Sequence, residues 1–331
     1  MLRRCRAPLN PRPGAPWNVL AQQVGVVARF ALSSPVDSHH RMQALIMLIT
    51  SLRNNRIKAI RSLRMHKYRV REGKYVIEGI RIVEEALGRH APVETLLHCP
   101  ELLVSERARA LLEQHADIEQ LVVSPEVFGN LSGREAPQGI AAVVRSSGTS
   151  LHEIPLRSDL FVIVAWQLQT PGNLGAIIRT ADAAGAHAVV IVEPSVDLYD
   201  PDTIRATMGS LYALPIALVR DESDLHTWFA GVRVTGIPLQ VLGTTAHATR
   251  LIWDVDCRGP LALLIGSEKD GLPEHIRSTV DVLARLPMAG SASSLNVSAA
   301  TAAIVFEVVR QRMARHAPGA CQRGLPGAVS E

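Results

Sequence analysis

Three short polar segments carry the side chains best suited to chemistry. The first, Thr170-Pro171-Gly172-Asn173-Leu174-Gly175, runs into an Ala- and Ile-rich stretch holding Arg179. The second is Ile265-Gly266-Ser267-Glu268-Lys269-Asp270-Gly271-Leu272. The third, Leu286-Pro287-Met288-Ala289-Gly290-Ser291-Ala292-Ser293-Ser294-Leu295-Asn296-Val297-Ser298, leads into an almost wholly apolar stretch, 299–309. Asparagine amides both donate and accept, so Asn173 and Asn296 suit the orientation of a polar ligand. Glu268 can orient a hydroxyl or a cation. Arg179 is permanently charged, which fits phosphate binding or stabilisation of a developing oxyanion better than proton abstraction. Gly266 and Gly271 allow close backbone approach. Each segment alone also suits an ordinary strand–helix junction: Pro171 and Gly172 make a turn, and Asn173 caps the helix. Arg179 is harder to place that way, because a buried cation costs several kcal/mol unless paired.

The elements around these segments alternate. Residues 160–166 read as an apolar strand, 174–186 as a helix, 188–193 as a strand, and 202–211 as a helix. Strands follow at 215–219, 239–242 and 261–266, with helices at 224–229, 273–280 and 295–312. Strands alternating with helices predict a mainly parallel sheet covered on both faces, and ligands on such sheets bind at the carboxyl ends of the strands. All three polar segments fall there. Neither a G-x-G-x-x-G turn nor a P-loop occurs, which disfavours an ordinary dinucleotide or nucleoside-triphosphate site. Upstream, strands at 75–78, 93–98, 121–123 and 139–144 and helices at 81–88 and 105–115 predict a smaller α/β domain. The expected division is a basic extension over 1–46, a substrate-binding domain over 47–145, a linker over 146–158, a catalytic domain over 159–316 and a disordered tail over 317–331.

Charge is concentrated near the start. The 331-residue chain has a net charge of +4, yet residues 53–71 hold Arg53, Arg56, Lys58, Arg61, Arg64, Lys67, Arg69 and Arg71 with no acidic residue before Glu72. Such runs are often solvated faces, but the density also suits a phosphate backbone. Ile57, Ile60 and Leu63 recur among them at helical spacing. Residues 1–46 hold Pro8, Pro11, Pro13 and Pro16 within a short basic stretch and a single acid, Asp37, which fits a disordered extension or a start at Met42 or Met47. A secretory signal fits poorly; an organelle transit peptide is the alternative. The four cysteines are widely spaced, which predicts reduced thiols, no zinc site and a cytoplasmic setting. No apolar run is long enough to predict a membrane span.

In this order and spacing, the three segments resemble the signature motifs of the SpoU (TrmH) family of RNA methyltransferases over 160–312. The third is the most specific. Tyr75-Val76-Ile77-Glu78-Gly79 and Gln138-Gly139-Ile140-Ala141-Ala142-Val143-Val144 are similar to the opening and closing segments of that family's ribosomal-protein-like substrate-binding domain. The resemblance implies a trefoil-knotted C-terminal sheet, a homodimer, and S-adenosylmethionine bound in the knotted loops without a metal. It implies cofactor contacts from Gly266, Leu286, Leu295, Thr244 and Met288. Asn173, Arg179, Glu268, Ser294 and Asn296 would line the reaction centre. Thr170 stands where the family often has an acidic residue, which bears on how the first loop is anchored. The implied reaction is methylation of a ribose 2′-hydroxyl, with 23S-type large-subunit rRNA the expected substrate and tRNA the next. Other readings are a non-catalytic ribosome-assembly protein on the same scaffold and a knotted enzyme acting on a base nitrogen.

Overall fold

A computed structural model describes residues 48–292 and 294–315. The expected extension over 1–46 and tail over 317–331 lie outside the described residues.

The basic lead-in forms two short helices, α1 (Asn55–Ser62) and α2 (His66–Glu72). The Asn54 side chain accepts from the Arg56 N–H at the start of α1, and α2 ends on Gly73 in the left-handed region, φ 60°. There follow β1 (Lys74–Glu78), α3 (Ile80–Gly88), β2 (Val93–His98), α4 (Glu106–Gln114), β3 (Glu119–Val122), α5 (Pro125–Leu131) and β4 (Ile140–Arg145). The sheet order is β1-β4-β2-β3, with only the β2–β3 pair parallel. Helix α5 was not expected from the sequence, although Ser124 caps it and Pro125 opens it.

The second sheet is larger. Its elements are β5 (Phe161–Trp166), α6 (Pro171–Ala183), β6 (Ala188–Val192), α7 (Pro201–Thr207), β7 (Ile216–Val219), α8 (Glu222–Val234), β8 (Gln240–Thr244), β9 (Arg250–Leu251), β10 (Leu261–Ile265), α9 (Glu274–Arg277), β11 (Val282–Arg285) and α10 (Val297–Arg315). Seven strands run in the order β7-β6-β5-β10-β8-β11-β9, and every pair is parallel. Every residue of β5, β6 and β10 is buried, as strands covered on both faces must be. Alternation along β5 divides the core: Phe161, Ile163 and Ala165 pack on one face, Val162, Val164 and Trp166 on the other.

Some expected boundaries moved. The helix expected over 202–211 stops at Thr207, because Met208 (φ 52°) and Gly209 (φ 101°) reverse the chain before a short 3₁₀ turn. The helix expected over 273–280 is a single turn, and β11 and the two-residue β9 lacked a sequence signal.

The first face of β5 belongs to an apolar cluster that continues through Tyr75, Ile77, Val83 and Leu96 of the smaller sheet. The two sheets therefore share a core. The Tyr75 ring stacks on Tyr199 at 4.2 Å, and its hydroxyl lies 3.1 Å from that of Tyr212. Among the described residues no helix is long and apolar enough to cross a membrane.

Candidate active site

Neighbouring strands β5 and β10 mark where the winding of the larger sheet changes direction: β6 and β7 extend one side, β8, β11 and β9 the other. Open α/β sheets form a crevice at that point. Ala165 of β5 is in register with Ile265 of β10, so the loops leaving these strands emerge side by side. The first carries Asn173 and the second Glu268.

Both loops are built for close approach. The 266–271 turn folds back so that Ser267 and Gly271 exchange backbone hydrogen bonds, at 3.2 and 3.1 Å. A β-carbon on Gly266 would lie 2.2 Å from the Gly271 carbonyl carbon and 2.3 Å from the Leu272 nitrogen, so only glycine fits. One on Gly175 would lie 2.4 Å from the Thr203 oxygen, so glycine there lets α6 cross tightly over α7.

A chain of hydrogen bonds joins all three polar segments. Glu268 Oε1 accepts from the Thr170 N–H at 3.0 Å and from Asn173 Nδ2 at 2.9 Å, while Oε2 accepts from the Gln169 N–H at 3.0 Å. Asn173 Oδ1 accepts from Asn296 Nδ2 at 3.0 Å. Asn296 Oδ1 in turn accepts from the Ser298 N–H at 2.9 Å, the Ser298 hydroxyl at 2.7 Å and the Ala299 N–H at 3.3 Å. The polarity is set at both ends, since an ionised carboxylate only accepts and the N–H groups opening α10 only donate. Each amide between them therefore has one satisfying orientation. Burial pushes the Glu268 carboxyl up, but the hydrogen bonds from Asn173, Gln169 and Thr170 outweigh it and hold the group below the ordinary carboxylate value. It is charged at neutral pH.

This arrangement corrects two expectations. Asn173 does not cap α6; the cap position is Thr170, without a side-chain bond, and Glu268 satisfies the exposed backbone donors from across the crevice. An acidic residue at position 170 is thus not needed to anchor the loop. Glu268 also does not hold Arg179: it engages Asn173 and the 169–170 backbone instead.

The chain lies along a cleft of about 720 Å³. Thr244, Gly266, Leu286, Met288 and Leu295, the five residues expected to contact a cofactor, all line it, as do Glu268, Ser294 and Asn296. The Thr244 hydroxyl is already committed to the Leu264 carbonyl at 3.0 Å. Ile265, Val297 and Ile304 add apolar surface. Ile304 is not among the residues expected from the sequence, though it lies seven residues beyond Val297 and so on the same helix face.

Arg179 sits apart. It is exposed on α6, does not line the cleft, and among the described residues it makes no hydrogen bond or ion pair. Arg179 is therefore not a buried cation, and its place on α6 carries no desolvation cost that a partner must offset.

The basic lead-in divides as well. Arg53, Lys58, Arg61, Arg64, Lys67 and Arg71 are exposed. Arg56 is exposed but paired with Glu119. Arg69 is only 5% exposed, and its guanidinium reaches Asp197 in the loop between β6 and α7 at 2.6 Å and the Leu63 and Arg64 carbonyls at 3.0 and 2.6 Å. It is a buried link between the two sheets, not a cation open to RNA. Its partner carries no signal in sequence, being 128 residues away. Among the described residues no three His, Cys, Asp or Glu side chains gather as a metal site would require.

Comparison with known proteins follows the same division. Residues 160–306 match the SpoU rRNA Methylase family, and residues 54–142 match the MRM3-like substrate binding domain. The chain is 37% identical over 246 residues to a 23S rRNA (uridine(2479)-2'-O)-methyltransferase of Streptomyces viridochromogenes, covering 74% of this chain and 85% of that protein. It is 30% identical over 260 residues to a 23S rRNA (guanosine(2553)-2'-O)-methyltransferase of Bacillus subtilis, covering 78% and 98%. It is also similar to the crystal structure of the SpoU methyltransferase AviRb from Streptomyces viridochromogenes in complex with the cofactor AdoMet. There the TM-score is 0.74 and the identity 35%, over 79% of this chain and all of that one. The chain belongs to the SpoU rRNA methylase family, with a smaller α/β domain ahead of its mainly parallel catalytic sheet.

Proposed function

We propose that this chain methylates the 2′-hydroxyl of a ribose in 23S-type large-subunit rRNA, using S-adenosylmethionine. The observation that carries this reading is the Glu268–Asn173–Asn296 chain, which locks three loops from three parts of the sequence around one cleft. Locked polar groups beside an apolar-walled cleft suit a reaction whose main demand is alignment.

The cleft fits the cofactor by the chemistry of its walls. Leu286, Leu295 and Met288 offer apolar surface for an adenine, and Gly266 lets the backbone come close. Bound there, S-adenosylmethionine supplies a methyl group already activated on a sulfonium. The protein does the rest by position and charge. Asn173, Asn296 and Ser294 orient the ribose. Glu268 positions Asn173. Arg179, exposed and without a partner among the described residues, binds a phosphate next to the target ribose and stabilises negative charge developing on the 2′-oxygen, whose proton leaves to water. The exposed cations of α1 and α2 hold the RNA backbone.

The same reading makes the loops after β8, β10 and β11 the knotted ones. It takes a second copy of the chain as the partner for the exposed apolar face of α10, where Phe306 and Met313 are 50% and 68% exposed. It places the enzyme in the cytoplasm, with the ribosome.

The deciding experiment incubates the purified chain with radiolabelled S-adenosylmethionine and total RNA lacking the modification, then digests the RNA and identifies the labelled nucleoside. A 2′-O-methylated nucleoside in large-subunit rRNA is the expected product. Label in tRNA or on a base nitrogen refutes the substrate or the chemistry, and bound cofactor with no label on any RNA refutes the enzymatic reading.

A further inference from the structure

We infer that the catalytic domain grips the RNA itself, through a phosphate clamp that Arg205 of α7 forms with Arg64 and Arg134 of the smaller domain. The inference rests on the rRNA reading above and deepens it, adding a contact from outside the basic lead-in.

The clamp is built on the loop that follows α5. Both oxygens of Glu78 pin that loop, one accepting from the Ser132 hydroxyl at 2.5 Å and the other from the Gly133 N–H at 3.1 Å. Its carbonyls then face the arginines. Arg64 donates to the Asn130 and Ser132 carbonyls at 3.5 and 3.1 Å. Arg205, from the other domain, donates to the Gly133 carbonyl at 3.4 Å. Arg134 donates to the Glu78 carbonyl at 3.1 Å. A methyl group built on Gly133 would stand 3.1 Å from Arg205 Nη2 and 3.6 Å from Arg64 Nη2, so two guanidinium groups from different domains crowd over one residue without a side chain.

Carbonyl partners order a guanidinium without cancelling its charge. Arg64 and Arg205 spend one or two of their five N–H donors on the loop, Arg134 spends one on the end of β1, and each keeps others. Of the acids nearby, Glu78 is a counter-charge, but it spends its oxygens on Ser132 and Gly133 and makes no ion pair with the arginines. Asp202 pairs with Arg205 at 3.1 Å, but the two side chains are 67% and 47% exposed, and such pairs are weak. The result is three ordered arginines against two carboxylates, a positive excess with free N–H donors that a phosphate would engage with paired N–H···O bonds. The cluster also continues a path: Arg61 of α1 donates to Asn130 Oδ1 at 3.3 Å on one side, and α7 packs on α6, which carries Arg179, on the other. RNA held by α1 would cross the domain junction at Gly133 before reaching the cleft.

The test measures binding of the full chain to a large-subunit rRNA transcript over a series of salt concentrations, for the wild type, Arg205→Ala, Arg134→Ala and Arg205→Lys. Arg157→Ala serves as control, an exposed linker arginine beside the catalytic domain, paired with Asp159. Arg205→Ala is expected to weaken binding by about three- to tenfold and to flatten the slope of log K against log salt by about 0.7–0.9, the value of one lost phosphate contact. KM for RNA should rise with kcat and S-adenosylmethionine affinity unchanged. Arg205→Lys should keep the slope and lose part of the affinity, since a lysine holds the charge but not the fork. Arg205→Ala with wild-type slope and affinity overturns the clamp, and so does an equal loss in Arg157→Ala. Because the slope reads binding alone, a wild type that binds RNA but transfers no methyl group refutes the enzymatic reading while the clamp is still decided.

Discussion

Replacing Glu268 by glutamine would test the site at the group on which the other contacts depend. The side chain keeps its shape but exchanges one acceptor for an NH₂ group. If the amide oxygen takes the place of Oε1, the nitrogen is left facing the Gln169 N–H; if it takes the place of Oε2, the nitrogen faces both the Thr170 N–H and Asn173 Nδ2. Either way at least one charge-assisted hydrogen bond becomes a donor–donor contact. Such a bond is worth about 1.5–3 kcal/mol when buried. Glu268 is exposed on one side, where water can take up a released donor, so about 1–2 kcal/mol is the reasoned loss. For a chain of this size that lowers the thermal midpoint by roughly 1.5–3 °C. The effect on methyl transfer should be larger, because Asn173 then rests on a neutral amide oxygen or on none, in place of a charged acceptor, and Asn296 hangs on Asn173. Misplacement of about 1 Å can cost a hundredfold, so at least a tenfold fall in single-turnover rate is expected. Thermal unfolding and a rapid-quench assay with labelled cofactor measure the two effects. A midpoint within about 1 °C of wild type together with a rate within about twofold would mean that the carboxylate does not organise the cleft.

The other predictions separate stability from chemistry. Arg179→Ala, at an exposed position without a partner among the described residues, should leave stability within about 0.5 kcal/mol of wild type. Its methyl-transfer rate should fall by about a hundredfold or more, so full activity would remove Arg179 from the mechanism. Asp197→Ala takes the nearer carboxylate from buried Arg69 and leaves only Asp200, 3.7 Å away, so it should cost about 3 kcal/mol in urea unfolding, more than Arg69→Met does. Burial raises the Asp197 carboxyl, but hydrogen bonds from His66, the Tyr199 N–H and Arg69 hold it below its ordinary value. A depressed folded pKa stabilises above the unfolded value, about 3.9, and is lost as pH falls through the folded one. The stability gap between wild type and Asp197→Asn should therefore be constant from neutral pH down to about 5 and narrow below about 4; a gap independent of pH would contradict the assignment. Gly266→Ala drives a methyl group into backbone at 2.2 Å, where nothing flexible can yield. It should weaken S-adenosylmethionine binding by about tenfold or more in calorimetry, and wild-type affinity would show that the 266–271 turn does not shape the cleft.

The catalytic half was legible in sequence because its determinants are local. Apolar runs such as Leu261–Ile265 bury themselves on both faces wherever they pair, so composition alone marks them as strands of a covered parallel sheet. The polar segments between them could be placed at strand ends from that rhythm. Their types and order sufficed for a resemblance that the family matches bear out. Tertiary structure decided what each polar side chain does. Asn173 has the credentials of a helix cap, yet its partners are Glu268 and Asn296, 95 and 123 residues away. Arg69 and Lys67 are neighbours in one basic run, yet one is a buried ion pair and the other faces water. Arg179 reads as a costly interior cation from its helix alone, and only the packing of α6 shows its side to be open. A local pattern of apolar residues specifies which face of an element is covered, because burial scales with that element's own surface. The bond a polar group makes depends on which distant donor or acceptor the fold carries to within 3 Å, and spacing along the chain holds no record of that.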